Sequence, residues 1–225
     1  MSFQIAIDGP SGAGKSTVAK ALAAKLGIVY VDTGALYRTV GYYVRSKNID
    51  PHDGAEVAKI LPEITLELGY ENGTQQVYLN GQAMGDLIRT PEMSMYASAV
   101  SAIPAVRSFL LETQQSIARV QSVIMDGRDI GTVILPNADV KIFLTASNEC
   151  RAERRYKELL AKGIETTFED VLADMIRRDE NDRNREVAPA VAAADATVFD
   201  NSGMQPDECA AALMKLVEET LKAKN

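Results

Sequence analysis

Two cysteines and a single histidine are the only thiol and imidazole ligands among 225 residues. Cys150 and Cys209 lie far apart without C-x-x-C spacing, and His52 has no second imidazole to join it. A zinc site, a haem ligand pair and a Ser-His-Asp triad are therefore all short of ligands. The thiols read as ordinary cysteines of a reducing cytoplasm. Positive charge is also scarce: Lys and Arg number 24 against 31 Asp and Glu, a net charge of −7. With a pI near 4.9 the chain is a poor partner for nucleic acid polymers or anionic membranes. No apolar run reaches membrane-spanning length and no signal peptide or lipidation motif is visible, so a cytoplasmic protein is expected.

What remains is ordinary globular material, 46% hydrophobic and 24% charged, long enough for one α/β domain with appendages or for two small domains. Within it, Gly9-Pro10-Ser11-Gly12-Ala13-Gly14-Lys15-Ser16-Thr17 follows the apolar run Phe3 to Ile7. It matches G-x-x-x-x-G-K-S/T with Gly9, Gly14, Lys15 and Ser16 at the fixed positions. FQIAID before it reads as a buried strand, and VAKALAAKL after it, with Val18, Leu22 and Leu26 at helical spacing, reads as a helix. Glycines let the backbone curl so that successive N–H groups point inward at phosphate oxygens, and the helix beginning near Lys15 aims its positive end at the same spot. Lys15 adds a charge that reaches the β and γ phosphates, and the Ser16 hydroxyl is placed to ligate the Mg²⁺ that travels with ATP. Without a ligand, Lys15 is expected to lie in a loop open to solvent.

Further strand-like runs occur at Ile28 to Asp32, Ser122 to Asp126, Val140 to Leu144 and Thr197 to Asp200, each leading towards a helical pattern. Short apolar strands buried on both faces imply a parallel sheet. Polar groups gather where the strands end, at Asp8, Asp32-Thr33, Asp126-Gly127-Arg128-Asp129 and Thr145, the edge at which open α/β sheets bind ligands. Ile64 to Met84 breaks the pattern by alternating apolar and polar residues around Asn72-Gly73 and Asn80-Gly81, which predicts a small insert of antiparallel hairpins. A helical stretch divided by Pro104 follows from Pro91 to Arg119, and Asn148 to Arg185 is helical and dense in charge with a break at Lys162-Gly163.

Arginines form the second informative layer: Arg38, Arg107, Arg128, Arg151, Arg154, Arg155, Arg177, Arg178, Arg183 and Arg185. Either they gather around polyanions or they belong to solvated helix faces, where Arg178 and Asp182, four apart, simply pair. Residues 178, 182 and 185 are expected on one helix face. Without a polyanion, the arginines of 148–185 are expected to repel one another and leave that segment loosely ordered.

Four motifs then stand in order and spacing: GPSGAGKST, VDTGALYR (Val31 to Arg38), MDGRDIGT (Met125 to Thr132) and RRDENDRNREVAP (Arg177 to Pro189). Across nearly the whole chain they resemble the bacterial cytidylate kinases, and the insert resembles the extra domain that marks that branch. The resemblance implies an α/β, P-loop nucleoside monophosphate kinase fold, with a parallel five-stranded sheet flanked by helices, a small antiparallel β insert and a helical lid. It implies a single kinase unit with a core of 1–32, 120–147 and 186–225, a monophosphate-binding region of 33–119 holding the insert at about 62–88, and a lid of 148–185. The implied reaction is ATP with CMP or dCMP giving ADP with CDP or dCDP, with Mg²⁺ as the cofactor that accompanies ATP, in a protein expected to be a monomer.

Carried onto this chain, the resemblance assigns Gly9 to Thr17 and Arg154 to ATP, and Thr33, Tyr37 and Arg38 to the start of the monophosphate-binding helix. Ser98, Arg107 and Asp129 resemble cytosine readers, while Arg128, Arg178, Asp182 and Arg185 resemble the phosphate and sugar clamp. Lys15, Arg128, Arg178 and Arg185 are the catalytic candidates. Asp126 resembles a Walker B carboxylate that either holds Mg²⁺ through water or caps the following turn. Cytosine offers acceptors at O2 and N3 and a donor at N4, which a forked donor such as Arg107 and an acceptor such as Asp129 would match, unless Asp129 instead pairs with a neighbouring arginine. The rival readings are a kinase of the same fold with another small acceptor and a regulatory NTPase switch. No N/T-K-x-D guanine-reading motif and no long coiled coil is present to favour the switch.

Overall fold

The apolar run ahead of the glycine loop forms β1 (Gln4–Asp8), and the helical repeat behind it forms α1 (Lys15–Leu26), closed by Gly27 in the left-handed conformation at φ 65. The computed structural model describes residues 2–71 and 74–224. In chain order it continues with β2 (Val29–Asp32), α2 (Thr33–Ser46), α3 (Gly54–Ile60), β3 (Leu66–Glu71), β4 (Thr74–Leu79), β5 (Gln82–Ala83), α4 (Pro91–Ser101) and α5 (Pro104–Val120). Then follow β6 (Val123–Gly127), β7 (Val140–Thr145), α6 (Asn148–Ala161), α7 (Phe168–Asn184), β8 (Thr197–Asp200) and α8 (Pro206–Lys224). The chain divides into two compact units, one of Met1–Tyr30 with Gln121–Asn225 and one of Val31–Val120.

In the first unit the strands lie in the order β2-β6-β1-β7-β8, and β1 pairs in parallel with both β6 and β7, as β7 does with β8. This is the five-stranded parallel sheet that the alternation of strands and helices predicts. Ile5, Ile7, Ile124, Ile142 and Leu144 of the sheet pack with Val18 and Leu22 of α1 and with Leu213 and Val217 of α8. Register sets Asp8 opposite Gly127 on one side and Phe143 on the other, so the polar strand ends share one edge. The expectation of strands buried on both faces fails at β8: it has one neighbour in the sheet, and Val198 is 61% exposed. Helices α6 and α7 pack through Ala152, Leu159, Val171 and Met175, and the predicted break falls at Gly163, at φ 71.

In the second unit Asp32 caps α2, its side chain accepting from Ala35 N. The insert is a three-stranded antiparallel sheet, β3-β4-β5, with Leu66 opposite Leu79. Asn80 and Gly81 make its second turn with positive φ of 49 and 81, while the Asn72-Gly73 turn lies outside the described residues. Pro104 opens α5 at 101° to α4. Leu36, Val40 and Val44 of α2 share a core with Val77, Leu79, Val100 and Leu110. Among the described residues no single helix is long and apolar enough to cross a membrane.

Candidate active site

The glycine loop is built by close approach. Gly9 has φ 146, and a Cβ there would stand 2.0 Å from the Leu144 carbonyl oxygen, so only glycine lets the chain pass β7 at this distance. Gly14, at φ 85, turns the loop into α1. Lys15 is the first residue of that helix and, contrary to the open loop expected, its side chain is buried, with Nζ donating to Pro10 O at 2.7 Å. Burial, and next the cation of Arg128, push the ammonium down to about 7, against the pull of Asp126, Asp8 and Asp179. Ser16 Oγ donates to Asp126 Oδ2 at 2.7 Å, and Tyr30 Oη donates to Asp126 Oδ1 at 2.9 Å. Asn201 Nδ2 donates to Ala13 O at 2.8 Å, and Arg154 donates to Asn201 Oδ1 at 3.0 Å, so Arg154 reaches the loop through Asn201.

The loop after β6 is anchored to β1 by Asp8, whose two oxygens accept from Ile130 N and Gly131 N, each at 2.7 Å. Burial raises the Asp8 carboxyl to about 6, the two N–H donors limiting the rise. This anchor fixes the backbone just after Asp129, and the pairing of β1 with β6 fixes it just before Arg128, at Gly127. Arg128 Nε donates to Asp182 Oδ2 at 3.0 Å, and Arg185 Nη2 stands 3.5 Å from Asp129 Oδ1.

Several charges of 148–185 are paired. Asp182 Oδ2 accepts from Arg128, a partner beyond its own helix, and its charge also acts on Arg178 one turn away. Contrary to the expectation of a helical position, Arg185 is the cap of α7 and not part of it: the helix ends at Asn184, the chain turns away after Arg185 at ψ 143, and its side chain donates to Ala188 O. Three arginines of 148–185 are compensated, Arg151 by Asp179, Arg155 by Glu158 and Arg185 by Asp129, while the expected repulsion persists at Arg178, whose guanidinium has Arg128 and Arg155 as like-charged neighbours. Arg178 is the nearest to an uncompensated charge. Its Nε is buried without a hydrogen-bond partner, and burial, then Arg128, hold its guanidinium below the usual range. A buried cation short of acceptors is suited to an incoming anion.

In the second unit, Thr33, Tyr37 and Arg38 occupy the start of α2, Ser98 lies on α4 and Arg107 on α5. Arg38 Nη2 donates to Asp32 Oδ2 at 2.8 Å while Asp32 Oδ1 accepts from Ala35 N at 3.0 Å, so one carboxylate both starts the helix and aims the arginine. Gly34 leaves room for this, since a Cβ there would be 3.0 Å from Arg38 Nη1. Arg107 is buried over the Tyr37 ring, 5.7 Å from its centroid, with Nη1 donating to Ser101 O at 3.1 Å.

A parallel sheet with a glycine loop at the end of its central strand, a lysine opening the next helix and a Ser-carboxylate pair beside it define a P-loop protein that handles nucleoside phosphates. The sequence profile of the cytidylate kinase family matches residues 5–219. A cytidylate kinase of Thermosipho melanesiensis is 48% identical over 99% of this chain and 100% of its own, and one of Caldicellulosiruptor bescii is 47% identical over 98% and 97%. The chain belongs to the cytidylate kinase family. A solved structure of an uncharacterized protein from Eubacterium ventriosum shares the fold at a TM-score of 0.52 with 12% identity, covering 97% of this chain and 99% of that one.

Several residues of the site escape the motifs. Asp8 stands out in sequence only as a strand-end carboxylate, and Asp32, though inside VDTGALYR and three before Ala35 at N-cap spacing, has no role assigned to it there. Gln75 of the insert accepts from Asp32 N at 2.8 Å and donates to Asp32 O at 3.3 Å, a contact across 43 residues that no local pattern announces. Asn201 is as silent, one polar residue beyond a short strand.

Proposed function

We infer that this protein transfers the γ-phosphoryl group of ATP to CMP, giving ADP and CDP, and that dCMP is accepted in the same way. The observation that carries the reading is the match to the cytidylate kinase family over residues 5–219, which takes in the glycine loop, the acceptor helix and the arginine segment together. Mixing ATP, Mg²⁺ and CMP should yield CDP and ADP in equal amounts by chromatography. ADP without CDP would refute the reading.

The loop of Gly9 to Thr17 receives the ATP phosphates on backbone N–H groups, and Lys15 swings from Pro10 O to their charge. Arg154, steadied by Asn201, lies on the ATP side. Thr33, Tyr37 and Arg38 hold the acceptor nucleotide, Arg38 taking its phosphate. Ser98, Arg107 and Asp129 take the base. Arg107 presents a fork to O2 and N3, and Asp129 accepts from the N4 amino group; in uracil the last two groups are reversed, which leaves the carboxylate against a carbonyl.

A phosphate monoester has a second pKa of about 6, so its attacking oxygen is already ionised at neutral pH and no general base is needed. Catalysis reduces to bringing two polyanions into line and neutralising the transferred group, a task for Lys15, Arg128, Arg178 and Arg185. The exposed Ser16 hydroxyl and the buried Asp126 carboxylate, 2.7 Å apart, are hard oxygen donors of the type that Mg²⁺ takes alongside phosphate and water. Ser16 would hold the ion directly and Asp126 through water, and its charge would offset that of the phosphates. The reading also includes a cytoplasmic monomer with no nucleic acid or membrane partner.

Lys15 adds a proton linkage. With the free ammonium near 7 and the bound one raised by phosphates, ATP binding should take up protons above pH 7 and weaken by up to about tenfold per pH unit there. Calorimetry in buffers of different ionisation enthalpy should find little uptake at pH 6 and up to about one proton at pH 8, absent from Lys15→Arg. Uptake that is the same in both proteins would refute the assignment.

A further inference from the structure

Ser11, at the tip of the glycine loop, is gripped through its main chain from the helix pair α6 and α7. Its N–H donates to Asp179 Oδ1 at 3.3 Å, and its carbonyl accepts from Arg151 Nη1 at 2.7 Å. The two side chains are themselves joined, Arg151 Nη1 standing 2.6 Å from Asp179 Oδ2 as a charge contact. Arg151 spends its remaining nitrogens on Ala146 O at 3.1 Å and Asn148 Oδ1 at 2.6 Å, so its fork is fully directed. The pair is buried, its side chains 3% and 13% exposed. Next to it Gly12 is packed just as tightly, since a Cβ there would meet Met175 Cε at 2.8 Å and Arg151 O at 3.1 Å.

A buried ion pair is weak evidence for stability, because the cost of desolvating both charges offsets their attraction; what it supplies well is a fixed geometry. Here the geometry fixed is that of the loop which receives phosphate. Asp179 is also a carboxylate at the rim of an anion site; Arg151 is the cation in contact with it, and Lys15 and Arg178 act on it from further away.

We propose that Arg151 and Asp179 are positioning residues that hold the Ser11-Gly12 segment in its phosphate-receiving form, so that the placement of α6 and α7 is felt directly at the ATP phosphates. The proposal rests on the reading of Gly9 to Thr17 as the ATP loop. Neither residue touches the reacting atoms. Arg151, counted in sequence among arginines gathered for polyanions, is instead committed to the loop's own backbone.

The asymmetry of the pair gives the test. Arg151→Met leaves the Asp179 carboxylate beside the phosphates without the cation in contact with it and should raise KM for ATP about tenfold or more, with KM for CMP within about twofold. Asp179→Asn keeps an acceptor for Ser11 N–H and removes the charge, and should raise KM for ATP only about two- to fivefold. The double variant should lie near Asp179→Asn, because the offending charge is gone, rather than at the product of the two single effects. A purely structural pair would lower the melting temperature of all three without separating the two KM values. An unchanged KM for ATP, or equal rises for ATP and CMP, would overturn the proposal, and Asp179→Asn alone decides it if Arg151→Met does not fold. Should the unaltered protein fail to turn over ATP with CMP, the functional reading fails. Calorimetric ATP binding, which needs no acceptor, then judges the pair by the same comparison.

Discussion

Lys15→Ala is expected to lower kcat by about a thousandfold or more, because it removes the side-chain charge that meets the phosphates where charge moves during transfer. Burial of Lys15 changes what the variant does to the free protein. The ammonium lies among Asp8, Asp126 and Asp179 as well as Arg128, so its loss unbalances two buried carboxylates, Asp8 and Asp126, and the melting temperature should fall by several degrees. Lys15→Met restores the aliphatic stem, so it should recover part of the stability and none of the turnover. Steady-state kinetics and thermal melts on both variants separate the two effects. Turnover within about tenfold of the unaltered protein in either variant would mean that Lys15 serves packing alone.

The second large effect concerns the base. Asp129→Ala should cut kcat/KM for CMP by about ten- to a hundredfold, the equivalent of losing one hydrogen bond to a charged group in a dry site. UMP never had that bond and was opposed by the carboxylate, so its kcat/KM should hold or rise and the CMP to UMP ratio should narrow. Arg185, 3.5 Å from Asp129 Oδ1, gives the competing account in which the carboxylate only orients an arginine. In that case CMP and UMP would fall in parallel. KM for ATP should stay nearly fixed, since Asp129 is not part of the Gly9 to Thr17 loop.

The parts of this molecule that sequence announces are those in which a short segment dictates its own geometry. Gly9 announces the loop because its close approach to β7 leaves no room for a side chain, and Gly14 and Asn80-Gly81 announce turns because glycine and asparagine favour the left-handed region. Parallel strands are visible as apolar runs, and of the two edge strands β2 keeps a buried centre while β8 is largely exposed. Pairings are a different matter. Helical spacing offers Asp182 to Arg178, but the competing partner Arg128 is 54 residues away, and distance along the chain hides it. The same holds for Gln75 with Asp32 and for Asp179 with Ser11. Lys15 looks mobile in sequence because lysines usually are; that it is buried follows from Asp8, Asp126 and Asp179 converging on it from separate elements.

Release of ADP from ATP across a panel of acceptors tests the account most directly. CMP and dCMP should each drive rapid release, UMP should trail them by at least about tenfold, and AMP, GMP, shikimate, gluconate and buffer alone should leave the rate near background. ATP hydrolysis that proceeds equally without CMP, or an acceptor outside the cytidine nucleotides that outruns it, would contradict the account.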